Sequence, residues 1–342
     1  MAHPVVGMTL RVFIAKRIIY TMILVIFVVL LNFVIFEAMP GQSGASYAIL
    51  GQRTPDNQEA WDHTCAIYHC HDSYQQRFVS YVTNLLTFNF GYSYEYHEPV
   101  LNEIVTSGRL ANTLLLVGSS TALSILLGIL IGIVVSKRRG SRLDSFWVTS
   151  SLTTFSLPVF FVGIFLILIF AITLGWFPSG NNQPFDWGNP NIGPPSSLLL
   201  QVLIKLQYLF LPVVTLTSIT YGGFLLLTRA TMLETLSDDY VTTARAKGLS
   251  ERVIMFKHAF KNASLPMVTA SALAFGSILG GAIITETLFN WSGLGAWLYE
   301  AVLYKDFPVM QAMFYLIALS VIAANFVSDI IYGIVDPRIR YE

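Results

Sequence analysis

Side chains able to do acid–base, metal or nucleophilic chemistry are few and scattered along this chain. The six histidines are His3, His63, His69, His71, His97 and His258, and none falls inside a long apolar run. The only cysteines, Cys65 and Cys70, stand beside His63, His69 and His71 in a polar stretch. An oxidising compartment permits a disulfide between them. The neighbouring histidines make a metal site conceivable, but no established ligand spacing supports one, and free polar loop residues are the plain alternative. No Gly-x-x-x-x-Gly-Lys-Ser/Thr run is present to cradle phosphates, and no local Ser/His/Asp set is recognisable.

The segment Thr228–Pro266 is more informative, being too long for a plain connector. It reads as two short helices. Ser237 is expected to cap the first, with Asp238 and Asp239 favourable in its first turn, and Gly248 to stop it. Ser250 is expected to cap the second, with Val253, Phe256 and Phe260 along one face. Small Thr and Ala residues on the first helix allow close approach by another protein. A solvated basic loop that only enforces topology is the bland alternative, and the residues alone do not separate the two.

What must position this loop is a membrane bundle. Of 342 residues, 54% are hydrophobic and only 12% charged, where a soluble chain carries about 25%; the mean hydropathy is +0.61. The net charge of zero gives no footprint for nucleic acid. A helix needs about 20 apolar residues to cross the hydrocarbon. Six stretches meet that length: Ile18–Phe36, Thr113–Val135, Phe146–Leu174, Tyr208–Leu227, Val268–Ile284 and Met310–Ile334. The first has a basic flank but is too long for a signal-peptide core and lacks a cleavage site, so it is expected to be retained. Fifteen of the 20 Lys and Arg residues fall at the N-terminal flank, after spans two and four, and in the tail. That side is therefore expected to be cytoplasmic, with both termini on it.

Residues 38–110 then form a long external segment, polar and aromatic, and Gly175–Gln207 a second one rich in Pro, Gly and Asn. Gly128-x-x-x-Gly132 and Gly276-x-x-x-Gly280 suit close helix packing. Pro158, Gly280 and Glu286 are candidates for a translocation path or gate: Pro158 as a kink in span three, Glu286 as a charge at the outer end of span five. Loop capping is the alternative for Glu286. Asp329 is expected to be paired or near the interface.

The run Asp239-Tyr240-Val241-Thr242-Thr243-Ala244-Arg245-Ala246-Lys247-Gly248-Leu249 resembles the conserved cytoplasmic loop of ABC importer permeases, in the dipeptide/oligopeptide/nickel branch. His258–Pro266 continues the pattern. So do Met39-Pro40-Gly41, Phe90-Gly91-Tyr92-Ser93, Pro99-Val100, Ser156–Phe160, Trp291-Ser292-Gly293-Leu294-Gly295, Asp306-Phe307-Pro308-Val309 and Asp336–Tyr341. The likeness covers nearly the whole chain. It departs at Thr243-Ala244-Arg245, where the loop's eponymous Glu-Ala-Ala would stand, and at the cysteine-bearing insertion near residues 55–77.

The resemblance implies an all-α membrane protein of six transmembrane helices in type I ABC importer permease architecture, with an external subdomain between the first two. The units would be 1–37, 38–110 and a five-helix core 111–342 with its coupling loop 228–266. Docking on an ATPase would fall to Asp239, Tyr240, Val241, Thr243, Ala244, Arg245, Lys247, Gly248 and Leu249. The resemblance further implies a prokaryotic inner-membrane location and no cofactor bound by this chain, with ATP and Mg used by two separate ATPases. A second homologous permease and an external substrate-binding protein would complete the assembly. Peptide is the first expectation for the solute, oligosaccharide next and a metal complex third. A stand-alone secondary transporter or channel would need more intramembrane charge, and a membrane hydrolase would need catalytic groups within a span.

Overall fold

The computed structural model describes residues 10–38, 73–189, 192–280 and 282–335, and among these no strand forms beyond one isolated bridge between Tyr92 and Pro99. α1 (Leu10–Phe33, prolonged by a π-turn over Val34–Ala38) leads to α2 (Tyr74–Leu86), α3 (Val100–Thr106) and α4 (Arg109–Lys137). α5 (Arg142–Ser156) and α6 (Val159–Leu166, running into a π-stretch over Ile167–Thr173) precede the long α7 (Leu198–Leu236). α8 (Asp239–Ala246), α9 (Phe260–Gly276), α10 (Ile283–Leu288), α11 (Leu294–Tyr304) and α12 (Phe307–Val335) follow. Cys65, Cys70, the histidines beside them and the motifs at residues 39–41 and 336–341 lie outside the described residues.

Among the described residues, four helices are long and apolar enough to cross a membrane, within Ile14–Phe36, Arg109–Lys137, Leu198–Leu236 and Phe307–Ile330. These hold expected spans one, two, four and six. Expected span three is not one rod: α5 and α6 are bent by 102°. Pro158 disfavours helical backbone at Leu157, which is extended (φ −79°, ψ 137°), and itself stands as the N-cap of α6. Taken as one crossing, the pair makes a fifth span. Expected span five breaks as well: α9 ends at Gly276 after 17 residues, and a 3₁₀ turn over Ser277–Gly280 replaces the helix. Glycine is a poor helix former, and the carbonyl of Gly276 accepts the Ser320 hydroxyl of α12 at 2.9 Å. Among the described residues, the continuous spans therefore number four, or five crossings with the bent pair.

The bundle is organised on α7. Its 39 residues make it about 58 Å long, twice the hydrocarbon thickness, so it starts inside the expected external stretch and ends well past Leu227. α4 packs along it through a glycine seam. A Cβ on Gly128 would meet Phe224 of α7, and one on Gly132 would lie 2.6 Å from Thr228 Cβ and 2.9 Å from the Leu225 carbonyl. α9 packs on α12 through Gly276 against Ala324, and α5 on α7 through Ser151 against Gly222. α1 runs antiparallel to α12, with Arg17 on Asp329 at 2.8 Å near one end and Asn32 Nδ2 donating to Gln311 O at the other. Much of α1 otherwise exposes apolar side chains such as Ile19, Ile23 and Phe27, a surface suited to lipid contact.

The glycine seam leads to a direct expectation. Gly132→Val should lower the folded yield and the apparent Tm, by roughly 1–3 kcal/mol or more of overpacking, whereas Gly223→Ala, which meets nothing within 4 Å, should not. Size-exclusion profiles of the solubilised protein after graded heating measure both; an unchanged profile for Gly132→Val would mean the seam is not tight.

Candidate functional site

α8 projects between α7 and the helical run that starts at Glu251. Its N-cap is Asp238; Ser237, expected in that place, instead ends α7 and donates its hydroxyl to Glu234 O at 2.6 Å. Its C-terminus closes as a Schellman turn, with Gly248 N donating to Arg245 O at 2.9 Å and Leu249 N to Ala244 O at 3.4 Å. Gly248 has φ +75°, a conformation cheap only for glycine.

The nine residues expected to meet an ATPase divide into two sets. Val241 is fully buried and Ala244 nearly so, against Ile254 and Leu236 of the same chain. Tyr240 is partly engaged: its hydroxyl accepts from Asn262 Nδ2 at 2.9 Å and donates to His258 O at 3.4 Å. Asp239, Thr243, Arg245, Lys247, Gly248 and Leu249 are exposed. Arg245 meets Glu251 at 3.1 Å, an exposed pair worth less than about 1 kcal/mol.

Behind α8 the expected apolar face is rotated. Val253 and Phe256 are exposed, at 37% and 54%, while Ile254, Met255 and Ala259 are buried. The cause is the π-stretch Ile254–Ala259, which carries more residues per turn than the α-helical spacing assumed for Val253, Phe256 and Phe260. Met255 and Ala259 join Ala263 and Met267 of α9, Met232 of α7 and Ile133 of α4 in one cluster. Leu236 of α7 packs against both this cluster and the Val241–Ala244–Ile254 contacts of α8.

A second fastening lies at the same end. Asp144 is buried, and its carboxylate accepts Arg229 Nε at 2.6 Å, Arg229 Nη2 at 2.8 Å and Gly140 N at 2.9 Å. The pair ties the α4–α5 turn to α7 across 85 residues of sequence. No sequence signal marks it.

At the opposite end, the three candidates for a path or gate stand in different settings. Pro158 is exposed at the α5–α6 bend, and Gly280 faces α12, its built Cβ 3.7 Å from Ile317. Glu286 is enclosed by residues of its own chain. It is wholly buried; its carboxylate accepts Thr113 Oγ1 at 2.9 Å and Ala296 N at 3.0 Å, and Leu294 N donates to Thr113 at 2.7 Å. Gly293 and Gly295 leave the room for it: a Cβ on Gly293 would collide with the Glu286 carboxylate. Trp291 Nε1 donates to Asn112 O, and Asn112 Nδ2 to Ser292 O. Capping of this loop is what the carboxylate does.

Asp306 performs a similar task beside it. It is buried and accepts Ser93 Oγ, Tyr94 N, Glu95 N and, as the cap of α12, Val309 N. Asp before Phe-Pro at a helix start is a readable capping signal. Arg109 lies over the rings of Tyr96 and Trp297, which meet edge to face, and pairs with Glu103 at 3.2 Å. Burial pushes the Tyr96 phenol above its usual range, with Arg109 opposing, so the phenol stays neutral at physiological pH.

Residues 124–341 match the binding-protein-dependent transport system inner membrane component family. A di/tripeptide transport system permease protein of Pseudomonas aeruginosa (strain UCBPP-PA14) is 35% identical over 92% of this chain and 94% of its own length. An oligopeptide transport system permease protein of Bacillus subtilis (strain 168) is 30% identical over 96% and 99% respectively. A glutathione transport system permease protein of Salmonella typhimurium is 34% identical over 78% and 79%. The chain belongs to this family of ABC importer permeases, non-catalytic inner-membrane components of bacterial transport systems whose counterparts are ATPases and substrate-binding proteins.

Asp144→Asn should cost roughly 2–3 kcal/mol, below the full value for a buried pair because the Arg229 side chain is 25% exposed. Adding Arg229→Gln should restore part of that loss. Thermal unfolding of the purified variants tests this, and an Asp144→Asn protein as stable as the parent would show the pair to be idle.

Proposed function

We propose that this chain is one of two homologous permease subunits of an ATP-driven importer of short peptides, and that α8 is the element that docks on an ATPase. The observation that carries the reading is the division of α8. Val241 and Ala244 anchor it to the bundle, while Asp239, Thr243, Lys247 and Leu249 form a free face of mostly small or flexible side chains. A helix held this way passes a push from an ATPase into α4, α7 and α9 through the Met232–Met255–Met267 cluster.

In this reading two ATPases bind ATP and Mg, this chain binds neither, and an external binding protein delivers the solute. The side bearing α8, the α4–α5 turn and both termini is cytoplasmic, on the strength of its basic residues; the Arg17–Asp329 pair, which holds the start of α1 beside the end of α12, fits that arrangement. Residues 38–110 form an external unit, and ATP-driven closure alternates access to the path. Peptide is favoured as solute because the relatives above are named for di/tripeptide, oligopeptide and glutathione transport. Pro158, at a 102° bend, serves as a hinge between α5 and α6.

Gly248→Val should leave the chain inserted in the membrane but cut peptide uptake by more than about tenfold, since a β-branched residue resists φ +75° and the docking helix loses its end. Uptake and peptide-stimulated ATP hydrolysis in liposomes holding the complete importer are the measurements. Normal uptake by this variant would remove the coupling role from α8.

A further inference from the structure

α5 carries a polar face that its place in the bundle does not explain. Asp144 and Ser151 seat one side of the helix on Arg229 and Gly222 of α7. The opposite side presents Arg142, Ser145, Thr149 and Thr153, all exposed. Positions 145, 149 and 153 are four residues apart, so they stack on one face. With Phe146 they line an open groove of about 600 Å³, a size that suits a small ligand.

What sets these hydroxyls apart is that they are unused. Ser119, Ser120, Thr215, Ser218 and Thr220 all turn their hydroxyls back onto carbonyls of their own helix, which makes them tolerable anywhere in a bundle. The hydroxyls of Ser145, Thr149 and Thr153 have no hydrogen-bond partner among the described residues. Arg142, at one end of the row, has no ion pair among them either, because the nearby Asp144 is taken by Arg229 and Gly140. Together α5 and α6 are long and apolar enough for a membrane crossing, as a broken span or a re-entrant loop bent by 102°. Acyl chains cannot satisfy a guanidinium or bond a hydroxyl, so a face that keeps these groups outward suits water or a polar solute better than lipid.

We propose that this face of α5 is a wall of the translocation path, where Ser145, Thr149 and Thr153 offer exchangeable hydrogen bonds to the backbone of a passing peptide and Arg142 attracts its carboxylate. The assignment rests on the peptide-importer reading above. Hydroxyls suit a path better than a fixed site, since each donates and accepts and holds its partner only weakly. A single cation at one end favours an anionic group without trapping it along the way.

The test uses the complete importer in liposomes, with Thr149→Cys or Thr153→Cys in this chain. A charged, membrane-impermeant methanethiosulfonate is applied, and labelling is read by peptide mapping, so the native Cys65 and Cys70 do not interfere. Phe27→Cys, on the exposed apolar face of α1, is the lipid-facing control. Positions 149 and 153 should label about tenfold faster than 27 or more, because the reacting thiolate forms only in water. Transported di- or tripeptide with its binding protein should slow that labelling, and the bulky adduct should stop uptake.

Labelling as slow as at position 27, with and without ATP, would mean that lipid or another subunit covers the face, and the proposal falls. Fast labelling with no protection and undiminished uptake would describe a wet face outside the path, which overturns it too. Should the adduct stop uptake while only an oligosaccharide protects, the wall would stand and the peptide assignment would fall.

Discussion

The rest of the structure depends on how closely α4 can approach α7. At Gly128 and Gly132 the two backbones come within the distance a Cβ would occupy, and Thr228 and the Leu225 carbonyl fill that space. In lipid there is little hydrophobic gain from bringing two apolar helices together, so association relies on dispersion contacts and buried polar groups. A seam without side chains supplies the first, and the partly buried Ser124–Thr220 hydroxyl contact at 2.5 Å adds a polar tie. With α4 and α7 joined, α5, α9 and the loop carrying α8 all have a fixed body to pack against.

The two ends of the bundle are fastened by different chemistry. At the end bearing α8 the fastening combines a bidentate Asp144–Arg229 pair with a methionine-rich cluster. Methionine has three rotatable bonds and a polarisable sulfur, so such a cluster repacks at small cost when helices shift. At the other end two carboxylates, Glu286 and Asp306, are held by hydroxyl and backbone N–H donors, with Trp291 and Trp297 packed around them. Buried carboxylates that depend on several donors in fixed positions resist partial displacement. One end is built to yield and the other to keep its shape.

The residues of the Trp291–Gly295 motif depend on one another and on Glu286. The two glycines are there for the neighbouring Glu286 carboxylate, and the tryptophan closes the turn onto Asn112. Substituting any one of them alters the environment of the others. The α8 loop has the same interdependence: Gly248 ends the helix that Val241 and Ala244 hold down, and Tyr240 ties it to Asn262.

Apolar runs, the excess of Lys and Arg on one side and the motif around Asp239–Leu249 are properties of consecutive residues, and each could be read without a fold. The membrane class, four of the spans and the short, largely exposed helix at Asp239–Ala246 were legible for that reason. Pro158 and the Gly276–Gly280 stretch were visible too, but whether a proline or glycine kinks a helix or ends it depends on what packs beside it. Here the outcomes were a 102° bend and a broken fifth segment. The rotated face at Met255 and Ala259 followed from a π-stretch that α-helical periodicity cannot anticipate. Asp144 with Arg229, Ser93 with Asp306 and Thr113 with Glu286 were out of reach of sequence. Each pair joins residues far apart in the chain, and only the packing of whole helices brings an acid to its donors.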